Sequence, residues 1–115
     1  MKNKSRKFSK LKEQKGGIRK ISDDNIRAAV CTWCSDREVA ESIYGPISEW
    51  DTSNVTDMSK LFMNQGKFND NINQWNVGNV TNMESMFSKA NAFNQPLEQW
   101  NVSNVTNMQE MFCNA

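Results

Sequence analysis

The residues best equipped for chemistry in this chain are three cysteines, Cys31, Cys34 and Cys113, and there is no histidine to work with them. Cys31-Thr-Trp-Cys34 has the C-x-x-C spacing that can hold zinc or carry out dithiol exchange. A structural zinc site needs a full tetrahedral ligand set, and Cys113 is the one thiol left to join the pair. Dithiol chemistry wants the motif after a strand and at the start of a helix. Here it falls late in an apparent helix with no strand before it. The two thiols therefore read as half-buried helix residues. The lack of histidine also removes Ser-His and Cys-His nucleophile pairs, and no acid–base set clusters at a motif spacing. The chain reads as no enzyme, with no catalytic residue, no metal ligand set and no cofactor.

The 115 residues suffice for one small domain, with 37% hydrophobic and 23% charged residues. The net charge of +1 hides a strong polarity. Residues 1–20 hold nine Lys or Arg against Glu13, a balance of +8, and the remaining five bases and twelve acids give −7 over 21–115. A run this basic, with Gly16-Gly17 and little to pack, cannot repay its ordering entropy, so 1–20 is expected to be a disordered tail. Such a tail suits nucleic acid, an anionic membrane or an acidic partner, and serves equally as a solubilising arm. No stretch approaches the roughly 18 apolar residues of a membrane span. The N-terminus shows no apolar signal-peptide region, which reads as intracellular as written.

The fold signal begins at Ile47. Trp50, Trp75 and Trp100 recur at 25 residues, as do Val55, Val80 and Val105, then Met58, Met83 and Met108, then Phe62, Phe87 and Phe112. Ile47, Ile72 and Leu97 form another column, and Phe68 with Phe93 a further one. Residues 75–90 and 100–115 agree at eleven of sixteen positions. A unit of this size cannot bury its own apolar face, so the copies must stack. Val105, Met108 and Phe112 stand at i, i+3 and i+7, the stripe of a two-turn helix. Trp100 and Val102 alternate with Gln99, Asn101 and Ser103 as a short strand does, and Pro96 places the strand start after it. The expected fold class is an α/β repeat solenoid, leucine-rich-repeat-like, with short parallel strands on one face and short helices on the other.

The repeat F-N-Q-P-L-x-x-W-N-V-S-N-V-T-N-M-x-x-M-F resembles the BspA-type leucine-rich repeat surface protein family in its 25-residue form. The signature stands as WDTSNVTDM at 50–58, WNVGNVTNM at 75–83 and WNVSNVTNM at 100–108, with Thr52 in place of Val and Gly78 in place of Ser. The resemblance covers 47–115, about three units with the last incomplete. It implies a surface or adhesion-type binding module, of a kind seen in bacterial lipoproteins and in protist and large-virus proteins. It implies frequent surface anchoring, and no catalytic residues.

Segment 21–46 reads as a helical N-terminal cap on the stack, shielding an apolar end. Ser22 can cap a helix with Asp23 and Asp24 in its first turn, and Ile26, Ala29, Val30 and Trp33 form its apolar stripe. Ser35-x-x-Glu38 reads as a capping box opening a second helix, with Val39, Ala40, Ile43 and Tyr44 inward and Gly45-Pro46 as its stop. An independent helical hairpin is the alternative. Nothing after Met111 and Phe112 resembles a cap. That suggests either a fragment of a longer array or self-association through the open end.

The candidate binding face is the set of outward positions: Glu49, Asp51 and Ser53; Gln74, Asn76 and Gly78; Gln99, Asn101 and Ser103. A solvated polar surface is the plainer reading of them. The Trp column could be a carbohydrate-stacking row, but its inward spacing makes it core, and the Met columns read likewise. The sequons at Asn54, Asn79, Asn101 and Asn104 could carry glycans in a secreted protein. As a repeat column, the Asn of 54, 79 and 104 instead reads as a backbone-bonding ladder. Two functions remain open: protein–protein or cell-surface recognition through the strand face, or association of the basic tail with nucleic acid or anionic surfaces over a passive repeat body. The partner itself is not legible.

Overall fold

A computed structural model describes residues 19–115. Most of the basic tail therefore lies outside the described residues. Its last two members are tied down: the Arg19 N–H donates to the Ile43 carbonyl at 3.0 Å, and the Lys20 carbonyl accepts from Asn25 Nδ2 at 2.7 Å.

Two helices follow, α1 (Ile26–Ser35) and α2 (Arg37–Tyr44). The apolar stripe of α1 is buried as its spacing demands, with Ile26, Ala29, Val30 and Trp33 each at most 5% exposed. The caps differ from expectation. Ser22 stands in a turn ahead of α1, where its carbonyl accepts from the Asn25 and Ile26 N–H groups, and Asn25 occupies the cap position with its side chain bonded back to Lys20 and Ser22 and not to the helix. Ser35 is the last residue of α1 and its hydroxyl donates back to the Cys31 carbonyl. Asp36 takes over as cap of α2, its carboxylate accepting from the Val39 N–H at 3.3 Å. On α2 only Ala40 is fully buried, while Val39, Ile43 and Tyr44 are half-buried. Gly45, at φ 80°, ends the helix in a backbone conformation that other residues resist. A single short 3₁₀ turn, Ile47–Glu49, leads into the repeats.

The α/β leucine-rich-repeat solenoid is not what forms. Among the described residues there is no strand and no sheet, and no helix lies beyond Glu49. Parallel pairing is limited to isolated bridges, Asp57 with Asn82 and Asn82 with Asn107. Backbone hydrogen bonding explains why. In the stretch expected to be helical, the N–H groups of Met58, Lys60, Phe62 and Asn64 leave their own copy and donate to the carbonyls of Asn82, Glu84, Met86 and Ser88 at 2.8–2.9 Å. The intervening N–H groups of Leu61, Met63 and Gln65 close tight turns onto Met58, Lys60 and Phe62. A helix would keep all of these bonds within the segment. Left-handed residues at Lys60, Asn64, Ser85, Lys89, Glu110 and Asn114 recur in two 25-residue columns and interrupt any helical path.

The expected strand fails for a related reason. Trp75 and Val77 do point inward, at 2% and 1% exposure, but tight turns flank them: Trp75 N–H to Ile72 and Val80 N–H to Val77. Too little extended backbone remains for a ladder. The alternation survives without the strand.

Side chains and single bonds hold the copies in register. The Thr81 N–H donates to the Thr56 carbonyl and the Thr106 N–H to Thr81, each at 2.8 Å. Trp75 and Trp100 donate their indole N–H to the Ile47 and Ile72 carbonyls of the preceding copies. Phe62, Phe87 and Phe112 stack nearly parallel at 5.5 and 5.4 Å, and Phe68 stacks on Phe93 at 5.7 Å. Thr52, where the other copies carry Val, is fully buried and donates its hydroxyl to the Asn76 carbonyl.

The helices cover the free side of the first copy. Trp33 meets the Trp50 ring edge-on at 5.9 Å, and Tyr44 meets it at 5.7 Å. Asp23 carries the polar half of the join. Its carboxylate accepts from the Thr56 N–H and hydroxyl and from the Asp57 N–H, the place a Thr carbonyl fills between later copies. Arg27 adds an ion pair to Asp57 at 3.3 Å and a bond to the Ser59 carbonyl.

Candidate binding face

The outward positions are built by the turns on either side of Trp50, Trp75 and Trp100. Asp51, Asn76 and Asn101 each accept, through a side-chain oxygen, the N–H two residues on: Ser53 at 3.0 Å, Gly78 at 2.9 Å and Ser103 at 3.1 Å. This is the Asx turn, and it explains why the signature takes Asp or Asn after Trp. A second series turns the chain after Thr, with Asp57, Asn82 and Asn107 accepting from Ser59, Glu84 and Gln109. The Ser53 hydroxyl also donates to Asp51 at 2.6 Å. Both Ser53 bonds hold the Asp51 carboxyl below the usual carboxylate range against a small burial effect, and Lys20 helps.

Glu49, Asp51, Gln74, Asn76, Gln99, Asn101 and Ser103 are exposed, and Ser53 and Gly78 are half-buried. Asn79 and Asn104 fix their register, donating Nδ2 to the Ser53 and Gly78 carbonyls of the preceding copies at 2.7 Å. The amide nitrogens of these two sequon residues thus sit in an inter-copy ladder, and Asn101 sits in its Asx turn. The resulting surface is a grid. One column is Glu49, Gln74 and Gln99, and the next is Asp51, Asn76 and Asn101. The second column is partly occupied by its own turns, so the first carries more of the hydrogen-bonding capacity open to a partner.

The tryptophans do not join this face. Trp50, Trp75 and Trp100 are 4%, 2% and 9% exposed, too buried to stack on a ligand. The cysteine pair lies on α1 with Cys31 exposed and Cys34 half-buried. Burial, then the charges of Asp70 and Cys31, push the Cys34 thiol up to about 11 against the pull of Arg37. It is a protonated thiol at neutral pH, a poor nucleophile. Beside it, Trp33, Arg37, Gln65, Lys67 and Phe68 line a shallow cleft of about 170 Å³. Arg37 there is held by Asp70 at 3.0 Å and lies over the Trp33 ring. The cleft is smaller than typical small-molecule sites of roughly 300–1,000 Å³.

Sequence reasoning passed over two sets of residues. Asp23 reads as a first-turn helix acid, yet it reaches 33 residues along the chain to Thr56. Asn69 and Asn73 bond the next copy, accepting from the Asn94 and Gln99 N–H groups. The recurrence of Asn69 at Asn94 in the F-N dipeptide was the available signal.

No helix among the described residues is long and apolar enough to cross a membrane. Among curated proteins and among solved structures, comparison finds no match to the chain. A family match, however, spans residues 34–115, from the end of α1 through all three copies. By that match the chain belongs to the family described as Mycoplasma protein of unknown function, DUF285.

Proposed function

We propose that the protein is a non-catalytic recognition module that engages a protein or cell-surface partner through the outward polar columns Glu49/Gln74/Gln99 and Asp51/Asn76/Asn101. The observation that carries this reading is the regular spacing of those columns. Backbone ladders and stacked rings hold the copies in fixed register, so the exposed groups form a pre-ordered array and little entropy is lost when a partner binds. The WNVSNVTNM signature supports kinship with BspA-type surface proteins, and that kinship agrees with an adhesive role.

The test places a photo-crosslinking side chain at Gln74 or, as a control, at Ala28 on the exposed side of α1. Each chain is then exposed to cell-surface extract. A partner captured from position 74 and not from 28, and lost in Gln99→Arg, supports the face. Capture that ignores Gln99→Arg but disappears when Lys2, Lys4, Arg6, Lys7 and Lys10 become Gln would transfer the activity to the basic segment. Binding through that segment would fall steeply with salt, as phosphate contacts do.

A further inference from the structure

We propose that the cleft between the helices and the first copy is a recognition pocket for one carboxylate side chain, presented by an acidic peptide segment of a partner protein. This site is separate from the polar columns. Trp33 and Arg37 come to it from α1 and α2, and Gln65, Lys67 and Phe68 from the first copy. The guanidinium is held in place before any ligand arrives. One of its amino groups donates to Asp70 at 3.0 Å, and its central carbon lies 4.9 Å from the centre of the Trp33 ring. The Trp33 indole N–H donates to the same Asp70 oxygen, also at 3.0 Å. Asp70 thus fixes both side chains. The Arg37 donors that it does not take are left in a planar fork suited to a carboxylate.

Lys67 and Gln65 have no such duty in the join. Lys67 is exposed and Gln65 half-buried, and among the described residues neither side chain meets a hydrogen-bond or ion-pair partner. The internal repeat adds an independent observation. Where the first copy carries Gln65, Lys67 and Asp70, the second carries Ala90, Ala92 and Gln95, while Phe68 keeps its counterpart in Phe93. The ring that packs the copies is retained, and polar side chains enter where the first copy meets the helices. Asp70 is accounted for by its bonds to Trp33 and Arg37. A lysine and a glutamine are not needed to hold the helices there, and both are donors for an anion.

Charge and size name the ligand. Arg37 and Lys67, with Asp70 behind them, leave the cleft one positive charge within a segment, 21–115, whose balance is −7. One carboxylate matches that charge, whereas a phosphate ester brings about −1.5 to −2. At about 170 Å³ the cleft has room for one side chain. A free acid that small offers too few atoms for firm binding, so the carboxylate belongs to a longer chain that makes contacts around the pocket. The rings of Trp33 and Phe68 form apolar sides along which the methylenes of a glutamate can lie. They also keep water from the ion pair and strengthen it.

The experiment titrates the full, isotope-labelled chain with a capped pentapeptide that has one central glutamate between Gly and Ser residues. Nuclear magnetic resonance follows the Trp33 indole N–H and the Gln65 side-chain amide. Saturable shifts of both signals are expected with this peptide, and binding at least about tenfold weaker with its glutamine analogue. Lys67→Ala installs the residue that the second copy carries at Ala92, and it is expected to weaken binding about tenfold with the rest of the spectrum unchanged. Lys60→Gln, at an exposed cation of the same copy outside the cleft, is expected to leave binding unchanged. Equal binding of the two peptides, undiminished binding by Lys67→Ala, or an equal loss in Lys60→Gln would overturn the proposal. So would saturation by acetate at the same concentration as by the peptide, tighter binding of a phosphoserine analogue, or no shift of either signal.

Discussion

Trp75, in the middle copy, packs against the first, stacked on Trp50 at 6.1 Å and tilted against Phe62, with its indole N–H on the Ile47 carbonyl. Trp75→Ala removes this ring and its hydrogen bond and leaves a void, so a loss of about 3–5 kcal/mol is expected. Gln74→Ala, one residue away and exposed, is expected to cost under about 0.5 kcal/mol. Chemical denaturation of the two variants checks the difference, and equal losses would refute the inward–outward register. Asp23 makes a different kind of contribution. Burial is the largest single influence and opposes its charge, but the bonds from Thr56 and Asp57 and the nearby Arg27 together outweigh it and hold the carboxyl below its ordinary value of 3.8. A carboxyl lowered on folding stabilises above its unfolded pKa, and the contribution disappears as pH falls through the folded value. Stability lent by Asp23 should therefore be complete at neutral pH and fade below 3.8. Asp23→Ala is expected to cost about 1 kcal/mol at neutral pH, as loss of a cap does, and to flatten the acid limb of the stability curve. An acid limb unchanged in Asp23→Ala would show that the carboxylate contributes nothing to the join.

At the scale of the element, the repeat segments are turns, and glycine substitution distinguishes turns from helix. Lys60 and Lys89 have φ of 59° and 61°. Both side chains are exposed. Lys→Gly at either position removes a left-handed strain and is expected to be neutral or to stabilise by up to about 1 kcal/mol. In a helix the same change would cost about 1 kcal/mol, so the sign of the shift in melting temperature decides between the two. The failed expectations have the same origin. Val105, Met108 and Phe112 fall at helical spacing because a coil of tight turns also returns to its inner face every three or four residues. Nothing in Lys60, Ser85 or Glu110 announces positive φ, since none of them is Gly or Asn. What was legible was anything that depends on which side faces inward: the Trp, Val, Met and Phe columns, the buried stripe of α1 and the Asn79–Asn104 ladder. What was not legible was the destination of backbone bonds. Asp36 displaced Ser35 as a cap by a shift of one position, and Asp23 found its partner only through the tertiary join. On the candidate face, Ser53 and Gly78 are half-buried where the other seven positions are exposed, and the alternation gave no sign that Asp51, Asn76 and Asn101 would turn back onto their own chain.

On the scale of the whole molecule, the three copies are chemically alike but mechanically unequal. The first copy is covered by α1 and α2 on one side and by the second copy on the other. The second lies between two copies. Among the described residues the third has a neighbour on one side only, with Val102, Met108 and Phe112 open. Local opening should therefore begin at the third copy, where the fewest apolar contacts must be broken. Opening it releases the N–H groups of Met83, Ser85, Phe87 and Lys89, which donate into it, while those of Met58, Lys60, Phe62 and Asn64 keep their acceptors in the second copy. Native-state hydrogen exchange should separate these two sets even though their hydrogen bonds have the same lengths. The first is expected to exchange at least about tenfold faster than the second, a gap of about 1.4 kcal/mol in opening free energy. Denaturant should narrow the gap, since it promotes global unfolding until both sets exchange through the same fully open state. Equal protection of the two sets in the absence of denaturant would mean that the stacked rings from Phe62 to Phe112 couple all three copies into one cooperative unit.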